Sequence, residues 1–190
     1  VTAFARNIDK VFAADNVTAV AADVTAADFA DKLQGFDAVV SAFNPGWNNP
    51  NIGADFAKGA AAITEAAKAA AVPYLLVVGG AGSLYVAPDL QLIDTPEFPQ
   101  EIFAGANAAR NLLADLRDRR DVNWAFISPP AMFYEGSPFE PKGEYRFGQD
   151  DVLMAGDAPA GIHVDDLAKA IADDAEKKAH LFQRFTVAEV

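Results

Sequence analysis

The sequence predicts an α/β protein with a doubly wound parallel sheet and helices on both of its faces. Strand-like and helix-like patterns alternate along the 190 residues, and this alternation is typical of parallel sheets joined by crossover helices. The apolar run at residues 38–42 has the near-continuous hydrophobicity of a strand buried on both faces. No repeat and no linker divides the chain, so we expect one domain over residues 1–190, with residues 131–161 as a small substrate-side subregion.

Each element is predicted from a local pattern. Apolar runs bounded by turn residues predict strands at residues 1–6, 17–22, 38–42, 74–78, 124–127 and 185–187. Apolar residues at helical spacing predict helices at residues 7–12, 25–33, 52–71 and 100–117, and from 165 or 166 to about 177. Asn7 and Thr25 are the predicted N-caps of the first two helices. Gly35 is the predicted stop signal of the helix at residues 25–33, and Pro73 is that of the helix at residues 52–71. Residues 83–99 are predicted to be a loop, and residues 145–147 to form a hairpin with residues 152–154.

Composition excludes several classes of function. A net charge of −12 and a pI near 4.4 disfavour binding to nucleic acid and to anionic membrane surfaces. The chain has no cysteine, which excludes disulfides, thiolate catalysis and zinc–thiolate sites, and its two histidines leave little for a metal centre. No apolar run approaches the ~18 residues of a membrane span, and no signal-peptide pattern is present. We therefore expect a cytoplasmic protein that acts on a small molecule, as a monomer or a homodimer, without a metal.

Five segments carry a resemblance to a known family, in this order along the chain: VTAFARN, AADVTAADFADKLQGFDAVVSAF, VPYLLVVGGAGSLYV, NWAFISPPAMFYEG and GIHVDDLAKAI. Together they resemble the atypical short-chain dehydrogenases/reductases, and most closely the NAD(P)H-binding group that includes flavin reductases, biliverdin-IX-beta reductases and NADH-flavin reductases. The resemblance covers residues 1–190. It implies a Rossmann-like sheet and a nicotinamide cofactor.

The resemblance also implies which residues bind the adenosine half of the cofactor. Arg6 and Asn7 would lie beside the ribose, where a guanidinium suits a 2′-phosphate, so NADP is favoured and NAD is the alternative. Asp23 and Val24 would flank the adenine ring. The ordinary structural interpretations stay open, namely a solvated arginine at a strand end and an aspartate at a helix entry.

The rest of the cofactor would lie along the ends of later strands. Ala42, Phe43 and Asn44 would line its path, although they also suit a strand leading into a loop. Gly79 and Gly80 would let the nicotinamide approach the backbone, although a turn explains them nearly as well. Pro129, after the next strand, completes the residues that the resemblance places near the cofactor.

The sequence departs from the family pattern at the phosphate-binding loop. In this family a strand ending in arginine is normally the second strand, and a first strand with a glycine-rich loop precedes it. The glycines at 79–82 follow a later strand and do not replace that loop. Without a first strand, two apolar strands would each lose a neighbour, at a cost of about 1–3 kcal/mol per unpaired buried group. We therefore expect roughly 25–30 residues upstream of Val1, the size of one strand–turn–helix unit.

A second departure concerns the proton donor of ketone reduction. At the place of the Tyr-x-x-x-Lys pair, the helix at residues 100–117 carries Phe103 and Asn107, which supply neither a proton nor a charge. Hydride transfer to a flavin or quinone demands less of the protein. The candidate catalytic groups are Ser83, Tyr85 and His163. Each also has an ordinary structural interpretation, which for His163 is the ordering of the turn just before the last helix.

These observations favour an NAD(P)H-dependent oxidoreductase that transfers hydride to a flavin, a quinone or a similar planar acceptor. Two alternatives stay open. One is a non-catalytic NAD(P)-sensing regulatory protein, and the other is an epimerase- or dehydratase-like sugar enzyme, which the missing Tyr/Lys pair weakens.

Overall fold

The computed structural model describes all residues, 1–190, as eleven strands and four α-helices. The strands are β1 (Thr2–Ala5), β2 (Thr18–Ala21), β3 (Val39–Ser41), β4 (Leu75–Val78), β5 (Tyr85–Ala87), β6 (Leu90–Gln91), β7 (Trp124–Ser128), β8 (Arg146–Gly148), β9 (Met154–Ala155), β10 (Ala158–Pro159) and β11 (Arg184–Ala188). The helices are α1 (Phe29–Lys32), α2 (Ile52–Ala69), α3 (Gln100–Arg117) and α4 (Val164–Lys177).

The main sheet has five strands in the order β3-β4-β7-β11-β8. Its first four strands run parallel, and β8 pairs antiparallel with β11 at one edge. β1 and β2 form a separate parallel ladder, and β5–β6 and β9–β10 are antiparallel pairs. The predicted doubly wound, mainly parallel sheet is confirmed.

Helices cover both faces of this sheet because successive residues of a strand point to opposite sides. Leu75 and Val77 of β4 belong to the hydrophobic cluster that also includes side chains of α1, α2 and α3. Leu76, from the same strand, belongs to a second cluster with Leu167 and Ala170 of α4. The prediction of helices on both faces is therefore confirmed.

The strand β3 differs from its prediction. Val40 is 43% exposed, and Val39 and Ser41 are only half-buried, so the strand is not buried on both faces. β3 is hydrogen-bonded to β4 alone, and β1 to β2 alone. Phe4 of β1 and Val39 both pack against the first hydrophobic cluster, yet the two strands belong to different ladders. The incomplete burial follows from this single-sided pairing.

The first two predicted helices are much shorter than expected. The segment after Asn7 is one 3-10 turn, Ile8–Lys10, in which the Asn7 side chain accepts a hydrogen bond from the amide of Asp9. The segment after β2 begins with a turn closed by Asp23, not Thr25, and helix α1 is a single turn. Such short segments add few hydrogen bonds beyond the costly first turn, so tertiary packing decides their form.

Two predictions in the second half of the chain are also wrong. Phe147 pairs with Val187 of β11, while Met154 pairs with Pro159, so residues 145–147 and 152–154 do not form a hairpin together. The expected loop at residues 83–99 contains the pair β5–β6.

The long helices agree well with their predictions. α3 has the predicted bounds, and α2 ends at Ala69, two residues early. α4 begins at Val164 with His163 as its N-cap. None of these helices combines the length and the apolar character that crossing a membrane would require.

A buried polar cluster joins α4 to the start of β4. The hydroxyl of Tyr74 donates to Asp174 at 2.6 Å, and Nδ1 of His180 lies 2.6 Å from the other carboxylate oxygen. Tyr74 is fully buried and the side chain of Asp174 is 1% exposed. Burial and the neighbouring carboxylate raise the pKa of Tyr74 well above its usual range.

Candidate functional site

The carboxyl ends of the parallel strands carry most of the residues that the sequence analysis selected. Ligands of open α/β sheets bind in the crevice outside these ends. Arg6 and Asn7 directly follow β1, and Asp23 and Val24 follow β2 after Ala22, just beyond the last register pair Ala5–Ala21. The residues expected around the adenosine therefore lie at one end of one ladder.

Arg6 and Asp23 differ in how firmly they are held. Arg6 is exposed at the end of β1. Asp23 accepts hydrogen bonds from the amide and the hydroxyl of Thr25, both at 2.8 Å. These bonds lower the pKa of Asp23, with smaller contributions from the charges of Arg6 and Lys58. Asp23 is thus a carboxylate oriented by Thr25, and it feels the positive charges of Arg6, after β1, and of Lys58, on α2.

The residues after β3 alternate between inward and exposed positions. Phe43 turns inward and packs on Phe56 of α2, with ring centroids 6.2 Å apart. Gly59 makes room for this ring, because an added Cβ would lie 2.3 Å from it. Ala42 and Asn44 are exposed, and the Asn44 side chain accepts from the amide of Gly46 at 2.7 Å.

Gly79 and Gly80 at the end of β4 have different structural roles. The amide of Gly79 donates to the carbonyl of Ile127 at 2.9 Å, and a Cβ there would lie 2.0 Å from the Phe126 ring. At Gly80 a Cβ would meet nothing within 4 Å. Gly79 is therefore required by packing, whereas the backbone at Gly80 is open to a ligand.

The segment after β4 holds two of the predicted catalytic residues. Ser83 is 3% exposed, and its hydroxyl and carbonyl both accept from Arg184, at 3.3 and 3.4 Å. Tyr85 is half-buried, and its amide donates to the carbonyl of Asp150 at 2.8 Å. Tyr85 also lines an open cleft of about 650 Å³, which is within the usual size of a small-molecule site.

His163 lies apart from this segment, at the start of α4. Its Nδ1 accepts from the amide of Asp165 at 3.2 Å, so the imidazole caps the helix. Asp166 is buried and accepts from the amides of Lys142 and Gly143, both at 2.8 Å. Ser83 and Tyr85 are thus linked through Arg184 and Asp150, whereas the side chain of His163 is hydrogen-bonded within the start of α4.

Helix α3 presents no ionisable group at the place of the Tyr/Lys pair. Phe103 packs edge-on against Phe98 with centroids 6.4 Å apart. The Asn107 side chain accepts from two nitrogens of Arg110, at 3.2 and 2.7 Å. Arg110 in turn binds both carboxylate oxygens of Asp94, at 2.8 and 2.9 Å. Neither residue is arranged to give a proton to a ligand.

Sequence reasoning missed the residue that organises this region, Arg184 of β11. Its side chain is 1% exposed and contacts Asp150, Ser83 and Ser128, the residue before the buried Pro129. A signal was present, because Arg184 and Thr186 alternate with apolar residues in the strand RFTVA. That alternation was compatible with a solvent-facing side, which the structure does not have.

The NAD(P)H-binding family matches residues 1–178 of the chain. The chain is 36% identical over 189 residues to "Uncharacterized protein YwnB" of Bacillus subtilis, a match that covers 98% of this chain and 85% of that protein.

Two of the similar solved structures illustrate the match, and each covers the whole chain. A "putative NADH-flavin reductase" from Streptococcus pneumoniae is 31% identical with a TM-score of 0.83, covering 100% of this chain and 87% of its own. A "putative epimerase" from Bacteroides thetaiotaomicron is 33% identical with a TM-score of 0.85, covering 100% and 85%.

Proposed function

The chain belongs to the NAD(P)H-binding family, and from this premise we propose that it is a reductase that transfers hydride from NADPH to a flavin, a quinone or a similar planar acceptor. The observation that carries the proposal is that glycines line the end of β4 while helix α3 offers no proton donor at residues 103 and 107. Two-electron acceptors with conjugated rings can take their proton from solvent, so they need no such donor.

The residues at the strand ends fit a nicotinamide dinucleotide. Gly80 leaves open backbone beside β4, and Arg6 offers an exposed guanidinium beside the oriented carboxylate of Asp23. A bound nicotinamide supplies the hydride. The guanidinium of Arg6 is suited to a 2′-phosphate because it carries charge and a fork of donors, which favours NADPH over NADH.

The protein's own residues would position the nicotinamide and border the space for the acceptor. The amide of Gly79 is hydrogen-bonded to the carbonyl of Ile127, and the Phe126 ring occupies the space that a Cβ would need. These two contacts fix the position of the backbone at the end of β4. Tyr85 and the apolar side chains of Val86, Val152 and Met154 border the nearby cleft. The cleft also holds Asp89 and Asp151 and no basic residue, which favours an acceptor without negative charge.

The similarity to a protein named as an epimerase supports a second candidate, a sugar-modifying enzyme. The chemistry at α3 disfavours it, because Phe103 cannot exchange a proton with a sugar hydroxyl.

Stopped-flow absorbance of NADPH, mixed with the protein and either FMN or an uncharged quinone, tests the proposal. We expect NADPH oxidation that is faster with the quinone than with FMN. Tight NADPH binding without oxidation by any flavin or quinone would instead favour a sensing role.

A further inference from the structure

Arg184 is a buried cation whose contacts reach the segment after β4 and the last residue of β7. It lies on β11 next to β7, with its side chain 1% exposed. Burial lowers the pKa of the guanidinium, and the carboxylate of Asp150 opposes this effect. A charge in such a place is tolerated only where its donors have partners.

Asp150 supplies the compensating charge. Nε of Arg184 donates to Oδ1 of Asp150 at 2.7 Å, Nη2 contacts the same oxygen, and Nη2 also donates to the main-chain carbonyl of Asp150 at 3.1 Å. Arg117, at the end of α3, reaches that carboxylate as well, at 2.6 Å. Asp150 is therefore the carboxylate partner on one side of the Arg184 guanidinium, and it is shared with Arg117.

The other side of the guanidinium points to different segments. Nη1 lies 3.3 Å from the hydroxyl of Ser83 and 3.4 Å from that of Ser128, and Nη2 lies 3.4 Å from the Ser83 carbonyl. Ser83 ends the 3-10 turn Ala81–Ser83 that follows β4, and Ser128 directly precedes Pro129. Ser83 and Ser128 are uncharged, so these contacts do not compensate the charge of Arg184, and they connect its guanidinium to the segment after β4 and to the end of β7.

Backbone hydrogen bonds connect the same region to residues 150–152. The amide of Tyr85 donates to Asp150 at 2.8 Å, and the amide of Val152 donates to Tyr85 at 2.9 Å. Residues 83–85 thus lie between Arg184, which contacts Ser83, and residues 150–152, which are hydrogen-bonded to Tyr85.

We infer that Arg184 is a positioning residue for the backbone at the ends of β4 and β7, acting through residues 79–85 and through Ser128. The inference rests on the proposed function for the ligand, which is the nicotinamide end of NADPH. Arg184 itself is buried and acts through these segments without touching the ligand.

Arg184→Lys separates positioning from charge balance. Lysine keeps a positive charge for Asp150 but has a single nitrogen, which cannot reach both strand ends at once. Arg146→Lys is the matched control, since Arg146 of β8 also donates to main-chain carbonyls, those of Glu189 and Met154, and contacts neither segment.

Hydrogen exchange of peptides covering residues 79–86 gives a readout that does not depend on turnover. We expect exchange there to be about fivefold faster in Arg184→Lys than in the unmodified protein, the effect of losing roughly one hydrogen bond. Arg146→Lys should leave it unchanged. Equal exchange in both variants and the unmodified protein would overturn the inference.

Kinetics with NADPH and a quinone provide the second readout. Arg184→Lys should lower kcat by about 10- to 100-fold, as misplacement of reacting groups does, with KM for NADPH unchanged because the Arg6 end is intact. A rise in KM alone, or the same loss in Arg146→Lys, would overturn the inference. If the unmodified protein shows no turnover, the proposed function fails, while the exchange comparison still decides the role of Arg184.

Ser83→Ala keeps the question answerable if Arg184→Lys does not fold. It removes one acceptor of the guanidinium and leaves the ion pair with Asp150 in place. We expect faster exchange at residues 84–85, and exchange equal to that of the unmodified protein would contradict the inference.

Discussion

Thr186 lies two residues beyond Arg184 on β11 and is fully buried, and its hydroxyl has no hydrogen-bond partner within the protein. A buried hydroxyl without a partner costs free energy that an isosteric methyl group does not. We expect Thr186→Val to raise the free energy of unfolding by roughly 1 kcal/mol, measured by urea denaturation.

Thr64 provides the control for this substitution. It is also buried, but its hydroxyl donates to the carbonyl of Ala60 at 2.9 Å. Thr64→Val should therefore give no gain in stability. A loss of stability in Thr186→Val would show that its hydroxyl is satisfied in solution.

Arg6 carries the predicted choice between the two nicotinamide cofactors. Removing its guanidinium removes a charge-assisted contact that only the 2′-phosphate can make. We expect Arg6→Gln to raise the Kd for NADPH about 10-fold, the effect of about 1.4 kcal/mol, and to leave the Kd for NADH unchanged. Calorimetric titration measures both constants.

Lys10→Gln makes the same change of charge in the turn just after β1 and serves as the matched control. It should weaken neither cofactor selectively. Equal weakening of NADPH and NADH in Arg6→Gln would place Arg6 away from the 2′-phosphate.

Tyr74 predicts a loss of stability at alkaline pH. Its pKa is raised in the folded protein by burial and by the hydrogen bond to Asp174. The unfolded chain releases this proton near pH ~10 while the folded protein keeps it, so folding stability is complete below pH ~10 and falls as the pH rises further.

Tyr74→Phe tests this assignment through urea denaturation at several pH values. The variant should be less stable at pH ~7 by about 1–3 kcal/mol, because Asp174 loses a buried partner, and its stability should fall less steeply above pH ~10. Tyr134→Phe, at a half-exposed tyrosine, is the control. An unchanged alkaline slope in Tyr74→Phe would refute the assignment.

At the scale of elements, the contact between α2 and the end of β3 depends on Gly59. Alanine would favour the helix by about 1 kcal/mol, but its Cβ would lie 2.3 Å from the Phe43 ring. Overpacking of this kind costs about 1–3 kcal/mol, so we expect Gly59→Ala to lower the melting temperature. Adding Phe43→Leu should recover part of the loss, and a double-mutant cycle measures the coupling. Strictly additive effects would contradict the contact.

The elements that could be predicted are those specified by their own residues. The spacing of apolar residues in α3 was enough to give its bounds, and β4 and β7 were recognised as apolar runs before glycine and proline. The pairing of β8 with β11 could not be predicted, because Phe147 and Val187 lie far apart in sequence and nothing local selects that register.

The candidate site also contains residues that local sequence could place and residues that it could not. Topology was sufficient to place Gly79, Gly80 and Pro129 at the ends of buried strands. The state of Ser83 was not predictable, because its hydroxyl is held by Arg184, 101 residues further along the chain. His163 was recognised as a candidate for ordering the start of the last helix, and the structure gives it that role as an N-cap.

At the scale of the whole molecule, the ends of two parallel ladders carry an exposed arginine, an oriented aspartate and an open glycine, for which we predict contacts with a dinucleotide. Helix α3, which packs on the five-stranded sheet, has Phe103 and Asn107 where the Tyr/Lys pair of short-chain reductases would supply a proton. The central claim is that this arrangement orients a nicotinamide for hydride transfer to a planar acceptor.

The most direct test uses NADPH that carries deuterium on one or the other face of its nicotinamide ring, with the protein and a quinone in single-turnover stopped flow. Since a bound nicotinamide presents one face to the acceptor, we predict that deuterium slows NADPH oxidation from one face only, with one acceptor reduced per NADPH oxidised. Oxidation that is slowed equally from both faces, or no oxidation at all, would contradict the claim.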